Sequence, residues 1–148
     1  MEEHQENRAR LDQFNRLFRE SDKLYHDLAV KLSLSDSAIT ILYTLCQLGD
    51  GCLQKDICEQ SCSSKQTINS SVRRLEQAGY LTLKPGKGRD MHIFLTEAGK
   101  QLVSEKITPF IERENAAFLS LSDAEQRRLL QLSEKYFANL QKQLRQLL

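Results

Sequence analysis

No uninterrupted apolar run in the 148 residues approaches the length of a membrane span, and the opening MEEHQENRARL is too polar and charged for a signal peptide. The expectation is a soluble, cytoplasmic protein with no membrane partner. His4, His26 and His92 show no metal-ligand spacing and no CxxC pair is present, so no metal or other cofactor is expected. Cys46, Cys52, Cys58 and Cys62 lack a disulfide-scaffold spacing, and a cytosolic chain keeps them reduced. No Ser/Cys–His–acid arrangement, glycine-rich phosphate loop or internal repeat is evident, which argues against an enzyme. Tryptophan is missing altogether, and a formal net charge of +1 excludes a polycation.

What charge there is has been concentrated. Between Ser63 and His92, Lys65, Arg73, Arg74, Lys84, Lys87 and Arg89 face only Glu76 and Asp90, a local excess of +4 in a chain that totals +1. A basic segment in a near-neutral protein is the footprint expected of a nucleic-acid reading head.

Apolar periodicity supplies the scaffold. Leu11, Phe18, Tyr25 and Leu32 recur every seven residues with Phe14 and Leu28 beside them, predicting a long amphipathic helix from about Arg8 to Leu32. Ser35 reads as the N-cap of a second helix that ends at Gly49-Asp50-Gly51. A short helix over Leu53–Gln60 follows. Ser63 with Gln66 reads as a capping box opening a helix that buries Ile68, Val72 and Leu75 and stops at Gly79. Two short helices joined in this way form a helix-turn-helix. The period then changes to two: Leu81 and Leu83, then Met91, Ile93 and Leu95, flank the basic tip Pro85–Asp90, a hairpin placed as a wing. Thr96 caps a further helix, Pro109 predicts a kink or a fresh start capped by Thr108, and Ser122 with Glu125 opens the last helix.

The fold expected is mainly α with a small β-hairpin wing. An N-terminal dimerisation helix spans residues 1–34, a winged helix-turn-helix 35–98, and C-terminal dimerisation helices 99–148. Terminal helices with apolar stripes have too little partner surface on a winged domain of this size, so a homodimer is expected, which suits palindromic duplex DNA. The second helix of the helix-turn-helix enters the major groove. Removing its buried set leaves Ser63, Ser64, Lys65, Gln66, Thr67, Asn69, Ser70, Arg73 and Arg74 as candidate DNA contacts. Gln66 and Asn69 suit adenine, Lys65 or Arg73 guanine, and Ser63 and Ser64 phosphate. Lys87 and Arg89 suit the adjacent minor groove.

The stretch Ser71–Gly99, SVRRLEQAGYLTLKPGKGRDMHIFLTEAG, resembles the MarR family of bacterial transcriptional regulators, both in LEQAGYL at the end of the recognition helix and in LTEAG at the start of the next. The resemblance extends to the order of elements along nearly the whole chain. It implies a homodimer joined through its terminal helices, a pseudo-palindromic operator, usually repression, and release by a ligand or oxidant. It also implies an aspartate two residues before the wing arginine. Position 87 is instead Lys87, leaving Asp90 as the available partner for Arg89.

By the same resemblance, a small organic effector would bind between the dimer helices and the winged domain, where Phe14, Phe18, Tyr25 and Tyr43 can line a pocket. Cys58 and Cys62 flank the turn, with Cys62 just ahead of the expected Ser63 cap where a helix N-terminus lowers a thiol pKa; a redox-sensing regulator is one alternative. Cys46 fits the core. A winged helix used for protein–protein contact is the other alternative, opposed by the absence of exposed apolar anchors between Ser63 and Gly79.

Overall fold

A computed structural model describes residues 1–148, which divide into two compact units, Met1–Ile107 and Thr108–Leu148. Unit 1 holds α1 (Glu2–Leu32), α2 (Asp36–Leu48), α3 (Gln54–Ser61), α4 (Lys65–Gln77), β1 (Leu81–Pro85), β2 (Met91–Leu95), α5 (Glu97–Leu102) and a π turn over Val103–Ile107. Unit 2 holds α6 (Thr108–Leu119) and α7 (Asp123–Arg145). No single helix is long and apolar enough to cross a membrane.

The first helix begins at Glu2 rather than near Arg8. Its early turns carry no apolar stripe but are laced by i,i+4 ion pairs, Glu6–Arg10 at 3.7 Å and Arg8–Asp12 at 3.2 Å, and open with Glu2 and Glu3 at the positive end of the helix dipole. Ser35 caps α2 as its sequence predicts, accepting from the Ala38 N–H at 3.1 Å.

The core of unit 1 is where α2, α3, α4 and the hairpin converge. Ile41, Leu42, Ile57, Ile68, Ile93 and Ile107 are wholly buried, so each face read from the sequence points inward. Ser37 of α2 hydrogen-bonds the buried Ser71 of α4 across that packing. Cys46 is exposed instead of buried, because the inward face of α2 runs through Ile41, Leu42 and Leu45 and the next residue turns away.

At the turn between α3 and α4 the expected capping box is not made. Cys62 ends α3 in the left-handed region, φ 53°, which delays the start of α4 by one residue. Ser64, not Ser63, is the N-cap, accepting from the Thr67 N–H at 3.1 Å and donating to the Thr67 hydroxyl at 2.8 Å. Gln66 is thereby freed from any capping role.

The other end of α4 is a Schellman motif. Tyr80 N–H donates to the Leu75 carbonyl and Gly79 N–H to that of Glu76, both at 2.9 Å, with Gly79 at φ 86°. The hairpin follows in register Leu81↔Leu95 through Pro85↔Met91. Thr96 then performs two tasks: its hydroxyl donates to the Gly79 carbonyl at 2.6 Å and accepts from the Gly99 N–H at 3.0 Å.

Pro109 does not produce a capped break. A π turn precedes α6, and Pro109 is the second residue of that helix. Proline offers no N–H to the carbonyl four residues back and crowds it; a wider turn just before it accommodates both.

Unit 2 keeps its predicted cap. Ser122 N–H donates to the Glu125 carboxylate at 2.8 Å and Glu125 N–H to the Ser122 hydroxyl at 3.1 Å. The backbone and then the side-chain bond from Ser122 hold the Glu125 carboxyl below its ordinary range. The cap is therefore at full strength above the usual carboxylate pKa and weakens as pH falls through the depressed one.

Candidate nucleic-acid interface

Seen from the backbone upward, α4 sorts its own residues. Ile68, Ser71, Val72 and Leu75 are buried, which fixes the opposite face. Lys65, Gln66, Asn69, Ser70 and Arg73 lie one turn above another along it and line a shallow groove of about 440 Å³. No acidic side chain interrupts them.

A second, adjoining cleft of about 550 Å³ is shared by three elements. Gln54, Lys55 and Cys58 come from α3, Lys65, Asn69 and Arg73 from α4, and Leu83, Arg89, Asp90 and Met91 from the wing. Four cations, Lys55, Lys65, Arg73 and Arg89, thus meet a single carboxylate. Walls of one sign focus the field and attract polyanions. The structure brings the wing arginine and the recognition helix to one place, as the sequence order predicts. Arg74 and Lys87 are exposed but line neither hollow.

Two of the expected DNA contacts are already engaged within the protein. The Thr67 hydroxyl is held by Ser64, and the Asn69 side-chain oxygen accepts from Nε2 of Gln54. Gln66 is exposed. Ser63 is half-buried, with its hydroxyl directed at the Ser61 carbonyl, 3.5 Å away, while Ser64 is exposed.

The wing is built differently from the expectation. Asp90 pairs with Lys55 of α3, Nζ to Oδ2 at 3.3 Å, and not with Arg89. The Asp90 N–H closes the tip on the Lys87 carbonyl at 3.0 Å, and Gly86 N–H bonds the Asp90 carbonyl at 2.8 Å; Arg89 is left exposed at the tip. An exposed pair such as Lys55–Asp90 adds little stability by itself, but it occupies the only carboxylate in the cleft.

What orients the wing comes mostly from the α2–α3 loop, which the sequence reading passed over. Gly51 N–H donates to the Ile93 carbonyl at 2.7 Å, and Ile93 N–H to that of Cys52 at 2.8 Å, so the loop lies beside β2 as a short third strand with Leu53 opposite His92. Asp50 accepts from the Leu95 N–H at 2.7 Å and His92 Nδ1 donates to the Gly51 carbonyl at 2.8 Å. Asp50 in the turn signal was the available clue, since aspartate there commonly takes a backbone N–H.

The cysteines flank the turn, but not as imagined. Cys62 is the C-cap of α3 and lies two residues ahead of the true N-cap of α4. Burial pushes the Cys58 thiol pKa up, with Lys65 opposing it only in part. Of the aromatic set, Phe14 and Phe18 stack edge-to-face with centroids 5.0 Å apart; Phe14 and Tyr43 are half-buried, Phe18 and Tyr25 exposed.

Residues 32–89 match the family model described as the MarR family. No curated protein sequence matches the chain. Among solved structures, a MarR family regulator from Neisseria meningitidis superposes with a TM-score of 0.78 at 22% identity, over 93% of this chain and 97% of that one. The PcaV transcriptional regulator of Streptomyces coelicolor, solved with its natural ligand, gives 0.63 at 22% identity over 84% and 91%. MepR of S. aureus, solved as a DNA complex, gives 0.59 at 24% identity over 92% and 96%. The match to the MarR family model thus falls on the residues that carry the helix-turn-helix and the first strand and tip of the wing, and nearly the whole chain shares its fold with MarR family regulators of known structure.

Proposed function

We propose that two copies of this chain bind duplex DNA sequence-specifically, as a repressor that a small organic ligand releases. The observation that carries this reading is the continuous surface of α4 and the wing, in which Lys65, Arg73 and Arg89 converge and Gln66 and Ser70 stand exposed. In each copy α4 lies in the major groove, with Gln66, Asn69, Ser70 and Arg73 toward base edges and Ser63, Ser64, Lys65, Thr67 and Arg74 toward the backbone. Arg89, with Lys87 beside it, enters the flanking minor groove. The terminal helices, residues 1–34 and 99–148, join the copies and set the spacing of the two heads on a pseudo-palindromic operator. The DNA-bound MepR neighbour and the ligand-bound PcaV neighbour support the two halves of this reading. An effector would sit among Phe14, Phe18, Tyr25 and Tyr43.

A protein-docking role for the winged helix is less well supported, since every large apolar side chain of α4 is buried and none is left as an anchor. A thiol switch is also disfavoured, because a raised Cys58 pKa leaves less of the reactive thiolate.

Fluorescence anisotropy on sites selected from a random duplex library, across a salt series, tests the proposal. The expected result is selective, salt-dependent binding with two protomers per site. Arg89→Ala should then reduce the slope of log K against log salt by about one unit per protomer. An unchanged slope places the wing off the DNA, and binding without selectivity overturns the operator reading.

A further inference from the structure

Asn69 stands where the groove on α4 meets the cleft toward the wing, and it is half-buried there. Its side-chain oxygen accepts from Nε2 of Gln54, the first residue of α3. A carboxamide has one acceptor end and one donor end. With the acceptor end turned to α3, the end left for a ligand in the groove is the Nδ2 amide and its N–H donors.

The base edges differ in what they can give such a group. Adenine in the major groove presents an acceptor, N7, beside a donor, N6, and its usual asparagine pairing uses both ends of the amide. Guanine presents two acceptors, N7 and O6, and thymine presents O4. An asparagine whose oxygen is turned toward α3 presents N–H donors to the groove; these satisfy guanine or thymine but set a donor against the adenine N6 donor, and an unpaired polar group in an interface is costly.

We infer that Gln54 is a specificity-determining positioning residue: it fixes the amide of Asn69 so that one position of each half-site is read as guanine or thymine and adenine is rejected. The inference rests on the DNA-reading role proposed above. Gln54 acts through Asn69, from a helix whose sequence carries no base-reading signature, and it makes base preference at that position a property of two residues fifteen apart in the chain.

The two ends of the amide allow a reversal experiment. Sites are selected from a randomised duplex library with wild type, Gln54→Leu, Gln54→Glu and Asn69→Ala, each checked for wild-type circular dichroism. Single-base variants of the wild-type site are then compared by competition anisotropy. Gln54→Leu removes the donor, lets the amide rotate, and should abolish the discrimination of about tenfold against adenine at one position while leaving the others as they were. Gln54→Glu supplies an acceptor, draws Nδ2 toward α3 and turns the oxygen outward, so preference at that position should move to a base with an exposed donor, adenine or cytosine. Because preference is a ratio, a uniform loss of affinity from the added negative charge does not imitate it. Asn69→Ala should erase preference at the same position.

If Asn69→Ala changes that position and neither Gln54 variant does, Asn69 reads alone and the inference is overturned. It is also overturned if Asn69→Ala changes no position, which places the amide away from the bases. A wild type that binds DNA but selects no site refutes the operator reading itself, a separate failure that the wild-type arm alone reveals.

Discussion

Replacing Gly99 with alanine is expected to destabilise the protein by about 3 kcal/mol, although helix propensity alone predicts the opposite sign. Gly99 is a buried residue in the first turn of α5, where alanine in open space would gain roughly 1 kcal/mol over glycine. A Cβ at this position falls 2.0 Å from the Tyr80 carbonyl oxygen and 3.2 Å from Leu95 Cδ2. The carbonyl cannot easily retreat. It accepts the Thr96 N–H at 3.1 Å, and its own residue is tied to Leu75 by the Schellman bond that ends α4. Leu81, next in the chain, is buried at the start of β1. Relief therefore requires moving the end of the recognition helix, the root of the wing or the start of α5, which meet at this one glycine.

Gly79→Ala provides the control. Nothing lies within 4 Å of its Cβ position, but its φ of +86° makes alanine pay left-handed strain, a cost of about 1 kcal/mol. Urea unfolding at one fixed protein concentration should show Gly99→Ala losing clearly more midpoint than Gly79→Ala at an unchanged slope. If the two losses are equal, the close approach of α5 to Tyr80 is not a constraint on the fold.

The contrast between those glycines also explains which parts of the molecule could be read from the chain. Features written by neighbours in sequence were legible: Ser35, Thr96 and the Ser122–Glu125 box cap their helices as expected, and alternation placed both wing strands. Gly79 belongs to that class, because a glycine after a helical pattern is itself the signal. Gly99 does not, since its requirement comes from a carbonyl nineteen residues earlier. The same boundary runs through the site. The exposed polar face of α4 follows from periodicity, whereas Gln54 with Asn69 and Lys55 with Asp90 are meetings of residues 15 and 35 apart. Ser64 displaced Ser63 as the cap because Cys62 takes a left-handed conformation, a choice made by how α3 ends and not by the residues of α4.

Introducing charge on α7 through Leu130→Glu and Leu144→Glu together is expected to separate the proposed dimer and lower operator affinity by about a hundredfold or more. Unit 2 contains no buried residue at all. A helix of 23 residues that keeps Leu129, Leu130, Leu132 and Leu144 between 47% and 57% exposed offers an apolar face to a partner. Leu130 and Leu144 stand fourteen residues apart with Phe137 midway, the repeat of a seam between helices. The first helix poses the same question: of its 31 residues only Ala29 is buried, and Leu17 and Leu24, seven apart, are 59% and 69% exposed. A carboxylate forced into an apolar interface must be desolvated without a partner, which opposes association strongly. Once the copies separate, each α4 binds its half-site alone. The second contact then loses the effective concentration supplied by the shared interface, which is the source of the expected affinity loss. Light scattering after size-exclusion gives the oligomeric state. Anisotropy on full and half sites gives the linkage: the double variant should bind a full site no better than a half site, while wild type should prefer the full site by two orders of magnitude or so. Retention of a dimer with unchanged preference would move the interface away from α7, and a monomeric wild type would leave the two-headed mechanism without its basis.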